Sequence, residues 1–445
     1  LMSEFEIFKF GGSCLKESND VDAIVQRVRE SESERTIVVV SAFYGVTDRI
    51  IERLERNDEP TIPAFVASIE MAHLEMSQTL VDGFFSKKFQ EAISSLSSAL
   101  KINCEEASVQ SRTAALIAGE RISSVAIAAI LLERGIDSAP AWAEEIGIQI
   151  HQVKGESVIN IEETMKSLTL PPVRVPVVTG WYGQHDDSIA VLARGGSDLT
   201  ATSLAAVVNA SEVTIWRDVP GVLALSPRWS IPSRNLPYLS YTEAQELALF
   251  SEPMLHPFAV EPLRKEGIPL RLRPLHDPNS AGSCIGPSVA TGEPRVRAVG
   301  CLPHLVPLTL NLSGVMSVAK VVGDATMILE RARIRVWSLR ARPNEARFLV
   351  SERFASRAIR LISESPRLPT PERGSSIAIL CLVGESIGLG QAVSGRIELL
   401  ADESDLEFTH LDEGKRAHAL HYTVSDSQTR RALLALAKHL DLLVS

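Results

Sequence analysis

Lys9-Phe10-Gly11-Gly12-Ser13 closes the first apolar stretch of the chain, and Arg194-Gly195-Gly196-Ser197-Asp198 opens a later stretch that reads as a helix. In the first, a cation follows Phe5, Ile7 and Phe8 and precedes two glycines. Backbone N–H groups can approach phosphate oxygens closely there, with the lysine ammonium beside the transferring group. In the second, the glycines lie where a helix N-terminus faces anions. Two such loops can hold one polyphosphate between them, which points to phosphoryl transfer. The P-loop pattern of spaced glycines before Lys-Ser/Thr is absent.

Each element alone has a plainer reading: a lysine at a strand end is usually a solvated charge, and Gly-Gly-Ser is usually a turn. The order of the whole set is more specific. Between the two loops stand Val38-Val39-Val40-Ser41-Ala42-Phe43-Tyr44-Gly45-Val46-Thr47-Asp48, Gly119-Glu120-Arg121-Ile122-Ser123 and Val177-Val178-Thr179-Gly180-Trp181-Tyr182-Gly183. After them come Ile215-Trp216-Arg217-Asp218-Val219-Pro220-Gly221-Val222, Ser240-Tyr241-Thr242-Glu243-Ala244 and Leu255-His256-Pro257. In this order the chain resembles the aspartate kinases of the amino-acid kinase family over essentially its whole length.

At 445 residues the chain is too long for one ordinary domain and ample for a large core. Its 45% hydrophobic and 22% charged residues are those of a globular protein. A formal net charge of −10 argues against nucleic acid or an anionic membrane as partner, so small anionic substrates need a local basic pocket. The five cysteines (Cys14, Cys104, Cys284, Cys301, Cys381) are widely spaced without a C-x-x-C pair, so their spacing suggests neither a disulfide framework nor a zinc site, and a reducing cytoplasm fits. No uninterrupted apolar run reaches the roughly 18 residues that suggest a bilayer span. Glu4 and Glu6 beside Phe5 and Ile7 do not read as a signal peptide.

Residues 5 to 10 read as a strand, Val21, Ile24, Val25 and Val28 as one face of a helix, and 37 to 42 as a buried β-branched strand. Helices are expected from about 60 to 111 and, largely buried, from 114 to 132, where Glu120 in apolar surroundings needs a partner. Strands at 176 to 179 and 213 to 218 flank a helix at 199 to 209, and Ser240 with Glu243 offers a capping box. The alternation predicts an α/β fold with a mostly parallel sheet sandwiched by helices. Beyond a linker-like stretch, Leu308-Thr309-Leu310-Asn311-Leu312 and Ile377-Ala378-Ile379-Leu380-Cys381-Leu382 open two similar βαβ units. A simple α+β dimerisation module is the plainer reading of these. With the resemblance, the expected organisation is an amino-acid kinase catalytic domain at 1–286, a linker at 287–297 and two α+β ACT-like domains at 298–370 and 371–445.

Phosphoryl transfer needs positioning and charge neutralisation more than covalent help, and Lys9 is the candidate for the neutralising cation. Gly11, Gly12, Ser13, Gly195, Gly196 and Ser197 would supply donors to the phosphates. The resemblance gives Asp198 the role of orienting Lys9; its plainer role is a helix N-cap. Arg194 could grip an amino acid's α-carboxylate bidentately and Glu120 meet its α-ammonium. By resemblance, Ser41 and Thr47 line the same pocket, Arg217, Asp218 and Arg228 stand on the nucleotide side, the substrates are ATP with Mg²⁺ and L-aspartate, and lysine or threonine acts as effector on a homodimer or higher homo-oligomer. No protein-held metal is expected.

The nucleotide side departs from the family pattern. Pro253 stands where a phosphate-contacting lysine is usual, Arg217 where a threonine precedes the aspartate, and Ser226 where an aspartate precedes Pro-Arg; Ser188-Ile189-Ala190-Val191-Leu192-Ala193 replaces a threonine-rich approach to the second loop. Either Arg217 replaces the lost lysine's charge and the enzyme works, on aspartate or on a different amino acid, or nucleotide binding has decayed and the chain is an amino-acid-sensing regulatory subunit. The retention of Lys9, Asp198, Arg194 and Glu120 favours the enzyme.

Overall fold

The computed structural model describes residues 4–56, 58–77, 79–153, 155–193, 195–250, 255–256, 258–289, 294–314, 317–389, 391–411 and 418–444. Arg194, Glu252, Pro253, Met254 and Pro257 therefore lie outside the described residues. Two compact units divide the chain. One comprises 1–222, 235–245 and 253–289; the other comprises 223–234, 246–252 and 290–445.

The first unit is built on an eight-stranded sheet. Strand Phe5–Phe10 lies at its centre, parallel to Arg35–Val40 on one side and Val213–Arg217 on the other. Val175–Thr179 and Ser138–Ala141 extend the sheet beyond Arg35–Val40, again in parallel. On the other side, Leu270–Pro274 runs parallel to Val213–Arg217, and Ser283–Gly286 is antiparallel to it. Such a sheet must bury both faces, and Thr36–Val40 does so along its whole length. Its register decides where function can lie. Thr179, Val40, Phe10, Trp216 and Arg273 form one row across five strands. Immediately past that row come Gly180, Ser41, Gly11 and Arg217, so four loops open together at the carboxyl edge.

Helix Val109–Glu133 packs against this sheet as a core element. It is long and apolar enough to cross a membrane, yet 83% of its most apolar window is buried inside the protein. Gly119 explains how closely it approaches: a Cβ there would lie 3.0 Å from the Ala42 Cβ. The capping box predicted at Ser240 is present, with the Ser240 N–H donating to Glu243 Oε2 at 2.7 Å and the Glu243 N–H to Ser240 Oγ at 3.3 Å.

The second unit carries an antiparallel sheet centred on Arg295–Asn311, which pairs with Glu345–Ser351 and Ile377–Glu385. Arg295, Val296 and Arg297, read from sequence as linker, belong to this strand. Each expected βαβ unit is completed by a further strand and helix: Glu345–Ser351 with Glu352–Ser363, and Ala419–Ser425 with Thr429–His439. The two halves share one sheet. Segment 223–234 adds a bridge from Leu225 to Val299 within the same unit. Val321, Ala325 and Leu329 repeat at helical spacing over a core containing Leu308, Leu310 and Phe348. Phe348 is fully buried, so Phe348→Ala should cost about 3–5 kcal/mol through lost transfer energy and the cavity left behind. Urea unfolding of the whole chain checks this; a change below about 1 kcal/mol would mean the position is not packed as described.

Candidate active site

Lys9 and Arg217 project from the ends of neighbouring parallel strands on the face covered by helix Gly196–Val208. The two cations meet on a single carboxylate. Lys9 Nζ lies 2.6 Å from Asp198 Oδ1 and Arg217 Nη2 lies 2.9 Å from Asp198 Oδ2. Asp198 is the third residue of its helix, behind a Gly195 N-cap in the left-handed region at φ 83°. The cap role considered for Asp198 thus falls to Gly195. Burial by itself would raise the Asp198 carboxyl pKa; Lys9 and Arg217 outweigh it and hold the group below its ordinary value. Two cations against one anion leave the cluster a surplus positive charge. Arg217, assigned to the nucleotide side from sequence, pairs with Asp198 here.

Absent side chains shape the loops. At Gly11 a Cβ would stand 3.0 Å from Lys9 Nζ, and at Gly12 it would stand 3.1 Å from the Ala42 carbonyl. The close approach of these turns to the ammonium and to the Ala42 backbone therefore depends on glycine. Gly196 would collide with Leu192 and Trp181, and Gly180 with the Ser197 side chain at 2.6 Å. Trp181 was not among the candidate residues. Its backbone lies at φ 74°, rare for an aromatic residue, and is held by its N–H to Thr200 Oγ1 at 3.0 Å and its indole N–H to the Leu192 carbonyl at 2.7 Å. These contacts clamp the first turn of the Asp198 helix. His256 also adjoins the site, 3.4 Å from where a Gly195 Cβ would sit; burial lowers its pKa and Asp198 acts against that.

Glu120 projects from the middle of helix Val109–Glu133 and is 3% exposed. Burial pushes its carboxyl up to about 8, against the opposing effects of the Ala42 backbone N–H and Lys9. Among the described residues its Oε2 has no hydrogen-bond partner. Ser41 lies alongside, its carbonyl accepting from Ser123 Oγ at 2.7 Å, and Thr47 is partly buried in the first turn of helix Val46–Arg56. Ser13 is in the turn Gly12–Cys14. Asp218 is half-exposed and pairs with Lys16 at 3.3 Å, a cation that sequence reading did not single out. Arg228 lies in segment 223–234 of the second unit, its guanidinium over the Trp229 ring at 4.8 Å. A cavity of about 860 Å³ elsewhere in the first unit takes in Glu6 and Phe8, which alternate with Lys9 and so face the other side of the sheet; its many glutamates suit phosphate poorly.

A mostly parallel α/β sheet thus carries an ion-paired lysine between two glycine-rich turns at its carboxyl edge. The model of the Amino acid kinase family matches residues 5–274, and the chain belongs to that family. It is 28% identical over 297 residues to Aspartokinase 2, chloroplastic, of Arabidopsis thaliana, covering 63% of this chain and 54% of that protein. To the Bifunctional aspartokinase/homoserine dehydrogenase 1, chloroplastic, of the same plant it is 25% identical over 459 residues, covering 97% of this chain and 50% of the relative. The chain thus spans about half the length of these curated relatives. Among solved structures, E. coli aspartokinase III in complex with aspartate and ADP superposes with a TM-score of 0.82 at 20% identity, covering 98% of this chain and all of that one. The Clostridium acetobutylicum aspartate kinase does so at 0.78 and 17% identity, with the same coverage. These likenesses show that both units have the aspartokinase fold.

Two predictions follow from the geometry. Asp198→Asn strands two largely buried cations and should cost at least about 3 kcal/mol in urea unfolding; an unchanged midpoint would show that the pairs contribute nothing. Glu120 binds a proton more tightly in the folded than in the unfolded chain, so stability should fall as pH rises from about 4.5 towards 8. Glu120→Gln, which mimics the protonated form, should flatten that slope in unfolding curves measured across the interval, and an unaltered slope would assign the titration elsewhere.

Proposed function

We propose that the protein is an aspartate kinase, transferring the γ-phosphoryl group of ATP to the β-carboxylate of L-aspartate to give 4-phospho-L-aspartate. The reading is carried by the Lys9–Asp198–Arg217 cluster, a cationic surplus at a helix N-terminus between two glycine loops. In the reaction a carboxylate oxygen bonds to the γ-phosphorus as the bond to the bridging oxygen of ADP breaks. The nucleophile is already ionised, so no base is needed and catalysis reduces to positioning and charge neutralisation.

Lys9, oriented by Asp198, neutralises charge growing on the phosphoryl oxygens. Gly11, Gly12, Ser13, Gly195, Gly196 and Ser197 supply backbone or hydroxyl donors, and the close approach of the Gly11 backbone to the Lys9 ammonium supports a phosphate held by both. Arg217 adds its charge through the shared carboxylate, and Asp218 belongs to the nucleotide side. Arg228 is assigned there by resemblance alone. On the acceptor side Glu120, buried with one oxygen unpartnered, suits an α-ammonium, with Ser41 and Thr47 beside it and Arg194 on the α-carboxylate. Mg²⁺ would arrive with ATP and neutralise phosphate charge; the phosphates themselves are its expected main ligands, because Asp198 and Asp218 already hold cations.

In the second unit we assign ACT-like domains to 298–370 and 371–445, following a linker at 287–297 whose last three residues already belong to the central strand of the sheet; the catalytic domain is assigned to 1–286. The two-halved sheet accords with a regulatory module, and the effector, lysine or threonine, and a homodimer are assigned by resemblance; a structure of E. coli aspartokinase III in complex with lysine and aspartate has the same fold, with a TM-score of 0.79. A cytoplasmic setting accords with five free cysteines.

The test is an assay of the purified chain with ATP, Mg²⁺ and L-aspartate, trapping the acyl phosphate as its hydroxamate. Product should form with aspartate. Lys9→Ala should lower turnover by roughly a hundredfold or more while leaving the circular dichroism spectrum intact. No hydroxamate from the parent chain with aspartate would overturn the proposal, and near-normal turnover in the variant would remove Lys9 from its role.

A further inference from the structure

Away from the Lys9 site, three potential metal ligands converge within the second unit. Cys381 and His421 are directly opposite one another on the antiparallel strands Ile377–Glu385 and Ala419–Ser425, so their side chains share one face of the sheet. Gly300 is opposite Cys381 on the other side. Its bare Cα admits the end of helix Tyr241–Phe250: a Cβ at Gly300 would lie 3.1 Å from the Phe250 carbonyl. Phe250 packs its ring on His421 with centroids 4.6 Å apart, and one turn earlier Glu246 reaches the same imidazole. The ligand atoms of Glu246, Cys381 and His421 all lie within 4.8 Å of one another.

We propose that Glu246, Cys381 and His421 form a zinc site that fastens the second half of this helix to the sheet. Three observations support it. His421 Nε2 and Glu246 Oε2 are 3.6 Å apart, beyond good hydrogen-bond length and close to the spacing of two ligand atoms on a tetrahedral ion with bonds of about 2.0–2.3 Å. A thiol, an imidazole and a carboxylate together suit a borderline-soft ion such as Zn²⁺ and not Mg²⁺ or Ca²⁺. Charge also balances: Zn²⁺ with a thiolate, a carboxylate and a neutral imidazole is neutral, as a site with Cys381 fully buried and His421 only 2% exposed requires. On binding, the Cys381 S–H proton passes to solvent, and a water completes the fourth position.

The alternative is a buried histidine–carboxylate pair with the thiol as bystander. To decide, the full chain is stripped with chelator and titrated with Zn²⁺, and separately with Co²⁺, whose thiolate charge-transfer absorption reports a Co–S bond. The expected result is one ion per chain, a cobalt–thiolate band, and a thermal midpoint lowered by stripping and restored by Zn²⁺. Cys381→Ala should abolish the band, and Glu246→Gln, which keeps side-chain shape, should weaken Zn²⁺ at least tenfold. No stoichiometric metal, a cobalt spectrum without the thiolate band, or a band that survives Cys381→Ala would overturn the proposal. Metal content is read without any phosphotransfer assay, so this inference and the proposed kinase activity stand or fall separately.

Discussion

One buried carboxylate organises the first unit's functional edge. Asp198 would be expelled from its position by desolvation if it stood alone, and either cation would be nearly as costly there without it. Together they join three elements distant in sequence: the first strand through Lys9, the strand of Arg217, and the first turn of the glycine-loop helix. The interaction is local, yet it sets the helix N-terminus, and with it the amide groups of Gly195 and Gly196, at a fixed place against the strand ends.

That arrangement is possible because of the sheet beneath it. In a parallel sheet every strand that runs in register delivers its following loop to the same edge, and the row from Thr179 through Val40 and Phe10 to Trp216 brings four loops there at once. Loop backbones then come so close that side chains must be missing. Gly180 yields to Ser197, Gly196 to Trp181, and Gly119 to Ala42. Trp181 is the counterpart, a bulky residue kept at a left-handed backbone conformation by hydrogen bonds from both its main chain and its indole.

The first unit of the fold was legible because buried parallel strands such as Ile37–Val40 are continuous β-branched runs, and because glycines at loop starts carry a specific steric meaning. Glu120's need for a partner could likewise be anticipated from its apolar neighbours. Arg217 was placed on the nucleotide side by position alone; which anion it would seek depends on a helix whose packing the linear chain does not display. The last strand and helix of each C-terminal half escaped notice because Glu345–Ser351 carries arginine and glutamate among its apolar residues, and its neighbour Val336–Arg342 is an exposed edge rich in arginine. Segment 223–234, with Arg228, reads as continuous with the strand before it, yet its contacts lie in the second unit. Glu246, Cys381 and His421 have no spacing that could have united them; a cross-strand register and a glycine gap did so.

Glu120 carries one further consequence. A carboxyl that burial holds protonated near neutrality must ionise before it can serve as the counter-ion of an ammonium group, so uptake of such a ligand releases a proton to the medium. The apparent affinity would then climb with pH through the neutral range. The heat of association would depend on the ionisation enthalpy of the buffer as well as on the ligand.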